Sequence, residues 1–248
     1  MKWLLHDLVF GNDEQPEFIE CLKDKGHEYE LVKTYSDLPE GDIVRCSINM
    51  AKYWYGHKGI ICNWKKFLCS EYYGPFSDYL LNWPCSFTSY GEVSSIFDTY
   101  ENNGHIFLRP DAGDKSFTGE VLNRQELEKH RGEYNNLWTN NLSVVIAKPY
   151  NIDREFRVVV IGDKAVSASQ YKKRVISNLE LEVERIPPTH GVYSWVDDML
   201  KVVKYRPDPI FVIDVAEYNN RYYVLELNSF TCSGLYDCDP LPIIQGMQ

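Results

Sequence analysis

The chain has 248 residues, 44% of them hydrophobic and 14% aromatic, enough to bury a sizeable core as one large domain or as a small one plus a larger one. That composition excludes disorder, and a formal charge of −10 argues against a general nucleic-acid-binding surface, which needs cations over the phosphates. Seven irregularly spaced cysteines with no C-x-x-C pair exclude a disulfide framework and leave only Cys232 and Cys238 near a zinc-ligand spacing, so the thiols read as reduced, in a cytoplasmic protein.

The front of the chain, MKWLLHDLVFGNDEQ, carries an apolar run too short for a signal peptide, and no stretch reaches membrane-spanning length. Lys2 to Phe10 reads as a strand, followed by Asn12 and Asp13 as helix caps and Pro16 near a helix start. Phe18, Ile19, Cys21 and Leu22 recur at helical spacing, and Gly26 ends the segment. Tyr29 to Lys33 and Asp42 to Ser47 read as two more strands, so a small α/β unit opens the chain. It has no G-x-G-x-x-G after its first strand and is not read as a dinucleotide site. From Asn49 to Asn82 the chain is aromatic and irregular; Trp54, Trp64, Phe67, Tyr72, Tyr73, Tyr79 and Leu80 read as core. Trp83-Pro84 marks the expected boundary, giving an N-terminal α/β accessory domain over 1–88 and a second domain over 89–248. Beyond it, Tyr90 to Tyr100 reads as a helix closed by Asn102-Asn103-Gly104.

His105 to Arg109 is a short strand that feeds the loop of FLRPDAGDKSFTGEV. Gly113 and Gly119 bracket Asp114, Lys115, Ser116 and Thr118, and such a loop can lay backbone N–H groups along phosphate oxygens. It lacks the Walker order, and a glycine-containing hairpin turn would look much the same. Arg109 stands where its guanidinium fork reaches toward the same phosphates. Asn123 to Arg131 is a helix with a capping-box start (Asn123, Glu126), and Leu142 to Pro149 an apolar strand whose only charge is Lys148. NIDREFRVVVIGDKAVSASQYKK then reads as a hairpin turning at Gly162-Asp163. Glu155 and Arg157 share one face, as an exposed ion pair in the plainest reading. The return strand sets Ser167, Ser169 and Tyr171 on one side, Gln170 and Lys172 on the other. The run Lys172-Lys173-Arg174 reads as a solvated face. Val192 to Tyr205 is an amphipathic helix that Pro207 and Pro209 end.

The closing segment, FVIDVAEYNNRYYVLELNSF, sets Asp214, Glu226 and Asn228 among apolar residues. Glu226 and Asn228, two apart, share a strand face, and Asn219-Asn220 marks a tight turn. Asp214 joins that face, opposite Glu226, if the turn holds three or five residues. Three hard oxygen donors on neighbouring strands suit Mg²⁺, which completes its shell from water and substrate phosphates. The alternative is ordinary polar-outward alternation on a half-solvated sheet.

The order of FLRPDAGDKSFTG, AKPYNIDREFRVVV with SASQYK, and FVIDVAEYNNRYYVLELNSF resembles the ATP-grasp superfamily over roughly residues 105–236. It is most similar to the clade in which an arginine and two lysines replace the usual nucleotide-binding set, found among phage and bacterial proteins. It also resembles the ATP-grasp assembly factor of eukaryotic translation initiation factor 2. The resemblance implies an α/β (α+β) fold, an ATP-grasp core of two α+β subdomains preceded by a small α/β unit. It implies ATP and Mg²⁺ as cofactors, with Arg109 and Lys115 on the phosphates, Lys148 on the nucleotide from the other side, and Asp214, Glu226 and Asn228 on the metal. Arg157 would face the transferred phosphoryl group and Glu155 would orient it or bind the acceptor. The implied reaction joins a small-molecule or peptide carboxylate to an amine through an acyl phosphate. Such phosphoryl transfer needs preplaced cations more than a base. The same resemblance leaves two other functions open, an ATP-binding assembly or chaperone module with a protein partner, and a kinase or nucleic-acid-modifying enzyme. It implies no membrane partner.

Overall fold

The structure, a computed structural model, describes residues 1–7, 14–33, 39–112, 116–134, 141–175 and 178–247. They pack as two compact units, one made of residues 1–63 and 152–248, the other of residues 64–151. This division by packing cuts the chain elsewhere than at residue 88, because the front α/β segment shares its core with the closing strands. Among the described residues no helix is long and apolar enough to cross a membrane.

The discontinuous unit opens with β1 (Lys2–His6), α1 (Glu14–Asp24), β2 (Glu28–Val32) and β3 (Ile43–Arg45), followed by the short α2 (Ile48–Tyr53). The three strands are parallel in the order β2-β1-β3. Trp3 and Leu5 of β1 meet Phe18 and Leu22 of α1, with Trp3 edge-on to Phe18 at 5.3 Å. The expected strand to Phe10 ends at His6; Leu8 to Phe10, like the cap positions Asn12 and Asp13, lie outside the described residues.

The unit's second sheet is antiparallel and ordered β10-β9-β8-β11-β12. Its strands are β8 (Arg154–Ile161), β9 (Lys164–Val175), β10 (Asn178–Ile186), β11 (Ile210–Tyr218) and β12 (Arg221–Ser229). The expected turn at Gly162-Asp163 is present, with Gly162 at φ 58°, a conformation glycine adopts without a Cβ clash. Val159 of β8 and Val212 of β11 are paired in register and buried against Trp3, Ile43, Phe230, Ile243 and Ile244. They extend the front sheet's core, and the next row along the same face is polar. Between β10 and β11 runs α6 (Gly191–Val202), whose Val192, Val196, Met199 and Leu200 are buried at helical spacing. The chain closes with α7 (Pro240–Gly246), capped by the Asp239 carboxylate on the Leu241 N–H.

The continuous unit holds α3 (Cys69–Tyr72), β4 (Cys85–Ser89), α4 (Val93–Tyr100), β5 (His105–Pro110), β6 (Glu120–Asn123), α5 (Arg124–Glu133) and β7 (Ser143–Ala147). Its sheet is antiparallel, in the order β4-β7-β5-β6. Val93 and Phe97 of α4 and Leu127 of α5 join Ile106, Leu108, Val144 and Ile146 from the strands in one core. The capping box is formed as expected: Asn123 Oδ1 accepts the Glu126 N–H at 2.9 Å and Glu126 accepts the Asn123 N–H at 2.8 Å. Of the expected aromatic core, Trp54, Phe67, Tyr72, Tyr73 and Leu80 are buried, joined by Phe76, while Trp64 and Tyr79 are half-buried.

Candidate active site

The β11–β12 turn holds two residues, Asn219 and Asn220, both at positive φ (52° and 57°), the conformation of a tight type I′ hairpin. An even turn alone would set Asp214 opposite Leu225 and direct Glu226 and Asn228 to the other face. Instead the register runs Val215 to Val224 and then Asp214 to Glu226, leaving Leu225 as the extra residue of a β-bulge. The expected pairing of Asp214 with Glu226 is therefore present, but a bulge supplies it where an odd turn was expected. A second pairing sets Asp214 opposite Arg157 of β8, and a third sets Arg157 opposite Ser169 of β9. Directly opposed residues share a face, so Glu226, Asp214, Arg157 and Ser169 form one row across four strands.

Within that row Asp214 is 1% exposed and Arg157 7%. Arg157 donates Nε to Asp214 Oδ1 at 2.9 Å and Nη2 to Oδ2 at 2.8 Å, a two-pronged fork that fixes the guanidinium plane. Its Nη1 donates to the Gly234 carbonyl at 2.7 Å. The guanidinium carbon sits 4.7 Å from the Tyr236 ring centre and 5.4 Å from that of Tyr171, two rings stacked on each other at 4.7 Å and 2°. Tyr236 adopts φ 55°, which turns the loop after β12 back over the sheet. Arg157 is thus not the exposed partner of Glu155 that the hairpin alone implied. It is held rigidly before any ligand arrives.

Asn228 donates its amide nitrogen to Asp214 Oδ2 at 3.1 Å and to Glu226 Oε1 at 2.9 Å, so the three expected metal donors converge. Burial, with Glu226 beside it, lifts the Asp214 carboxyl to about 6 against the opposing pull of Arg157. Asp214 and Glu226 together outnumber Arg157 by one charge, which favours a cation on this face. Among the described residues no three His, Cys, Asp or Glu side chains are gathered at metal distance, so a divalent ion here would depend on the Asn228 amide oxygen and on ligand oxygens. The donor chemistry fits Mg²⁺ on those terms.

Glu155, on the same face two residues before Arg157, is buried and pairs with Lys172 Nζ at 3.1 Å. Tyr171 lies in a bulge of β9, and Lys172 stands directly opposite Glu155. The expected separation of Lys172 from Ser169 is thereby corrected, since the bulge brings both to the face of Glu155 and Arg157. Lys173 pairs with Glu182 at 2.9 Å and Arg174 with Asp153 at 4.0 Å, so the KKR run is matched by carboxylates and is not an open basic patch.

The residues expected on the nucleotide side belong to the continuous unit. Arg109 lies in β5 opposite Val145 of β7, and Lys148 is exposed just past the end of β7. Gly113, Asp114 and Lys115 lie outside the described residues. Asp111, which precedes them in the chain, accepts the Ser70 N–H at 2.8 Å, Ser70 Oγ at 2.9 Å and Ser143 Oγ at 3.2 Å on its carboxylate. Asp111, Tyr171, Tyr236 and the Gly234 carbonyl were not legible as site components from sequence spacing.

An antiparallel sheet carrying Arg157, Asp214 and Glu226 in register with Asn228 beside them, together with a second α+β unit bearing Arg109 and Lys148, defines an ATP-grasp fold. The family model described as ATP-grasp domain, R2K clade family 2, matches residues 86–245, and the chain belongs to that family. Among solved structures the fold is similar to the D-cycloserine synthetase DcsG (TM-score 0.66, 11% identity, covering 99% of this chain and 98% of that one). It is also similar to the ATP-grasp ligase PsnB complexed with minimal precursor (0.58, 15%, 100% and 99%) and to the D-alanine–D-alanine ligase from Bacillus anthracis (0.53, 12%, 92% and 86%). No curated protein sequence matches the chain.

Proposed function

We propose that the protein is an ATP-dependent carboxylate–amine ligase. A carboxylate oxygen attacks the γ-phosphorus of ATP, ADP leaves, and an acyl phosphate forms. An amine then attacks the acyl carbon, phosphate leaves, and an amide or peptide bond remains. The observation that carries this reading is the Arg157 row: a locked guanidinium in register with two carboxylates, both of which accept from the Asn228 carboxamide beside the row.

Each residue has a role in that scheme. Asp214, Glu226 and Asn228 would hold Mg²⁺, which would neutralise phosphate charge. Arg157 meets the transferred phosphoryl group with a dipole that needs no reorganisation, because its plane is already fixed. Glu155 and its partner Lys172 orient Arg157 from the adjacent row or receive the acceptor. Arg109 and Lys115 hold the triphosphate and Lys148 contacts the nucleotide from the other side. The family match from residue 86 supports a reading of 89–248 as the ATP-grasp domain and 1–88 as an accessory segment. Cysteines that are all free support a reducing, cytoplasmic setting. Solved structures of similar fold include a D-cycloserine synthetase, a D-alanine–D-alanine ligase and a ligase complexed with a precursor peptide, which supports small-molecule or peptide acceptors.

The test is ADP release from Mg-ATP with purified protein over a panel of amino acids and peptides. Stimulation by a carboxylate and an amine together, with loss of turnover by roughly two to three orders of magnitude in Arg157→Ala, is the expected result. Nucleotide binding without stimulation by any acceptor would remove the ligase reading.

A further inference from the structure

β10 is an outer strand of the five-stranded sheet, so among the described residues one side of its backbone has no neighbouring strand. It runs nine residues, long for an edge, and such edges template the addition of another strand unless they are covered. Leu181 is 71% exposed and Val183 43%. Leu181 stands opposite Lys172, and Lys172 opposite Glu155, so the apolar edge continues the row beside Arg157 on the same face. Glu182 is paired to Lys173, whereas Glu180 and Glu184 are exposed and have no cationic partner among the described residues.

We propose that β10 docks an extended polypeptide segment whose side chains alternate between cationic and apolar, and that this segment carries the acceptor group. The exposed leucine and valine favour an apolar side chain between cations, and Glu180 and Glu184 match positive charge. A second copy of this chain is a poor occupant. Antiparallel pairing of β10 with itself would set glutamate against glutamate, and like charges directly opposed destabilise a sheet. Strands lie about 4.8 Å apart, so a segment added at β10 runs about 14 Å from β8, the strand of Arg157. The reacting residue is therefore about four or five extended residues away from the docked stretch. Docking itself is a property of the edge. Only the fate of the docked chain rests on the ligase reading.

The probes are three fluorescein-labelled nonapeptides, one alternating lysine and valine, one alternating glutamate and valine, and one of the lysine–valine sequence with a central proline. Their binding to the full chain is read by anisotropy, and amide hydrogen exchange is followed over Leu179–Arg185. The expected result is at least tenfold tighter binding of the lysine–valine peptide than of either other probe, with protection of the β10 amides. The double variant Glu180→Lys, Glu184→Lys is expected to invert the charge preference. Equal binding of the proline peptide, protection outside β10, or no binding of any probe would overturn the proposal. ADP release with small amino acids but no bound peptide would sink docking and leave the ligase; bound peptide at β10 without turnover on any acceptor would sink the ligase and leave docking.

Discussion

Asp214 gives both carboxylate oxygens to Arg157 across two adjacent strands, and the pair is almost wholly withdrawn from water. Removing one partner strands the other charge in the interior. Arg157→Ala or Asp214→Ala is expected to destabilise the protein by about 3–5 kcal/mol, read from urea unfolding, whereas Arg157→Met with Asp214→Leu costs much less. A double-variant loss equal to the sum of the two single losses would show that the two charges do not support each other.

Glu226 sits at the outer end of the same row and is only half buried, so its role separates from stability. Glu226→Gln is expected to weaken Mg²⁺-dependent binding of a non-hydrolysable ATP analogue by tenfold or more, about 1.4 kcal/mol. Binding without Mg²⁺ and the melting temperature should barely change. Calorimetric titrations with and without the metal decide it; an equal effect in both would assign Glu226 to the nucleotide and not to the ion.

His130 of α5 is buried, its Nδ1 bonded to Tyr90 Oη at 2.6 Å and its ring packed on Phe117 at 4.9 Å and Tyr134 at 4.6 Å. Burial holds the imidazole below its ordinary 6.5, with Glu120 and Glu133 pulling it back upward. The unfolded chain thus takes up this proton at a higher pH than the folded chain. The stabilisation is complete above 6.5 and is lost as pH falls through the folded value. Urea midpoints measured between pH 8 and pH 5 should fall more steeply for the natural chain than for His130→Gln. Parallel curves would dismiss His130 as a source of acid sensitivity.

The contact with Cys232, then burial, holds the Cys62 thiol well above the ordinary range, and the contact with Cys46, with burial, holds Cys232 up against an opposing pull from Cys62. Burial pushes Cys85 up to about 12 from 9.0, which lowers its thiolate fraction at pH 8 roughly a thousandfold. Cys62, Cys232 and Cys85 should all resist a thiol reagent in the folded protein and react promptly in urea. Mass mapping of the labelled cysteines would expose an early reaction at any of them.

Sequence pattern gave away the elements whose boundaries carry local chemistry: the Asn123 capping box, the Gly162-Asp163 turn and the helix from Gly191. Among the elements that went unread, three show why. β10, NLELEVERI, alternates cleanly, but its glutamates leave no apolar run because solvent reaches both its faces. β4, CSFTS, is short and half exposed, and α7 carries two prolines in seven residues. The identities of Asp214, Glu226 and Asn228 were legible because acceptors among valines and leucines stand out. Their alignment was not, since it follows from a bulge with no composition of its own. The stacking of Tyr171 and Tyr236 on Arg157 likewise depends on a left-handed residue that no spacing rule announces.

Leu225 makes the closing hairpin sensitive to parity. Residues added in equal number to both arms between the turn and Asp214 would lengthen the ribbon and leave the acidic side chains aimed as they are. One residue gained on a single arm would need a compensating irregularity, or Glu226 and Asn228 would rotate toward the opposite side of the sheet. Variation in this hairpin is accordingly expected to come in even steps, so that the length of a solvent-exposed turn is constrained by the aim of two buried-edge ligands several residues away.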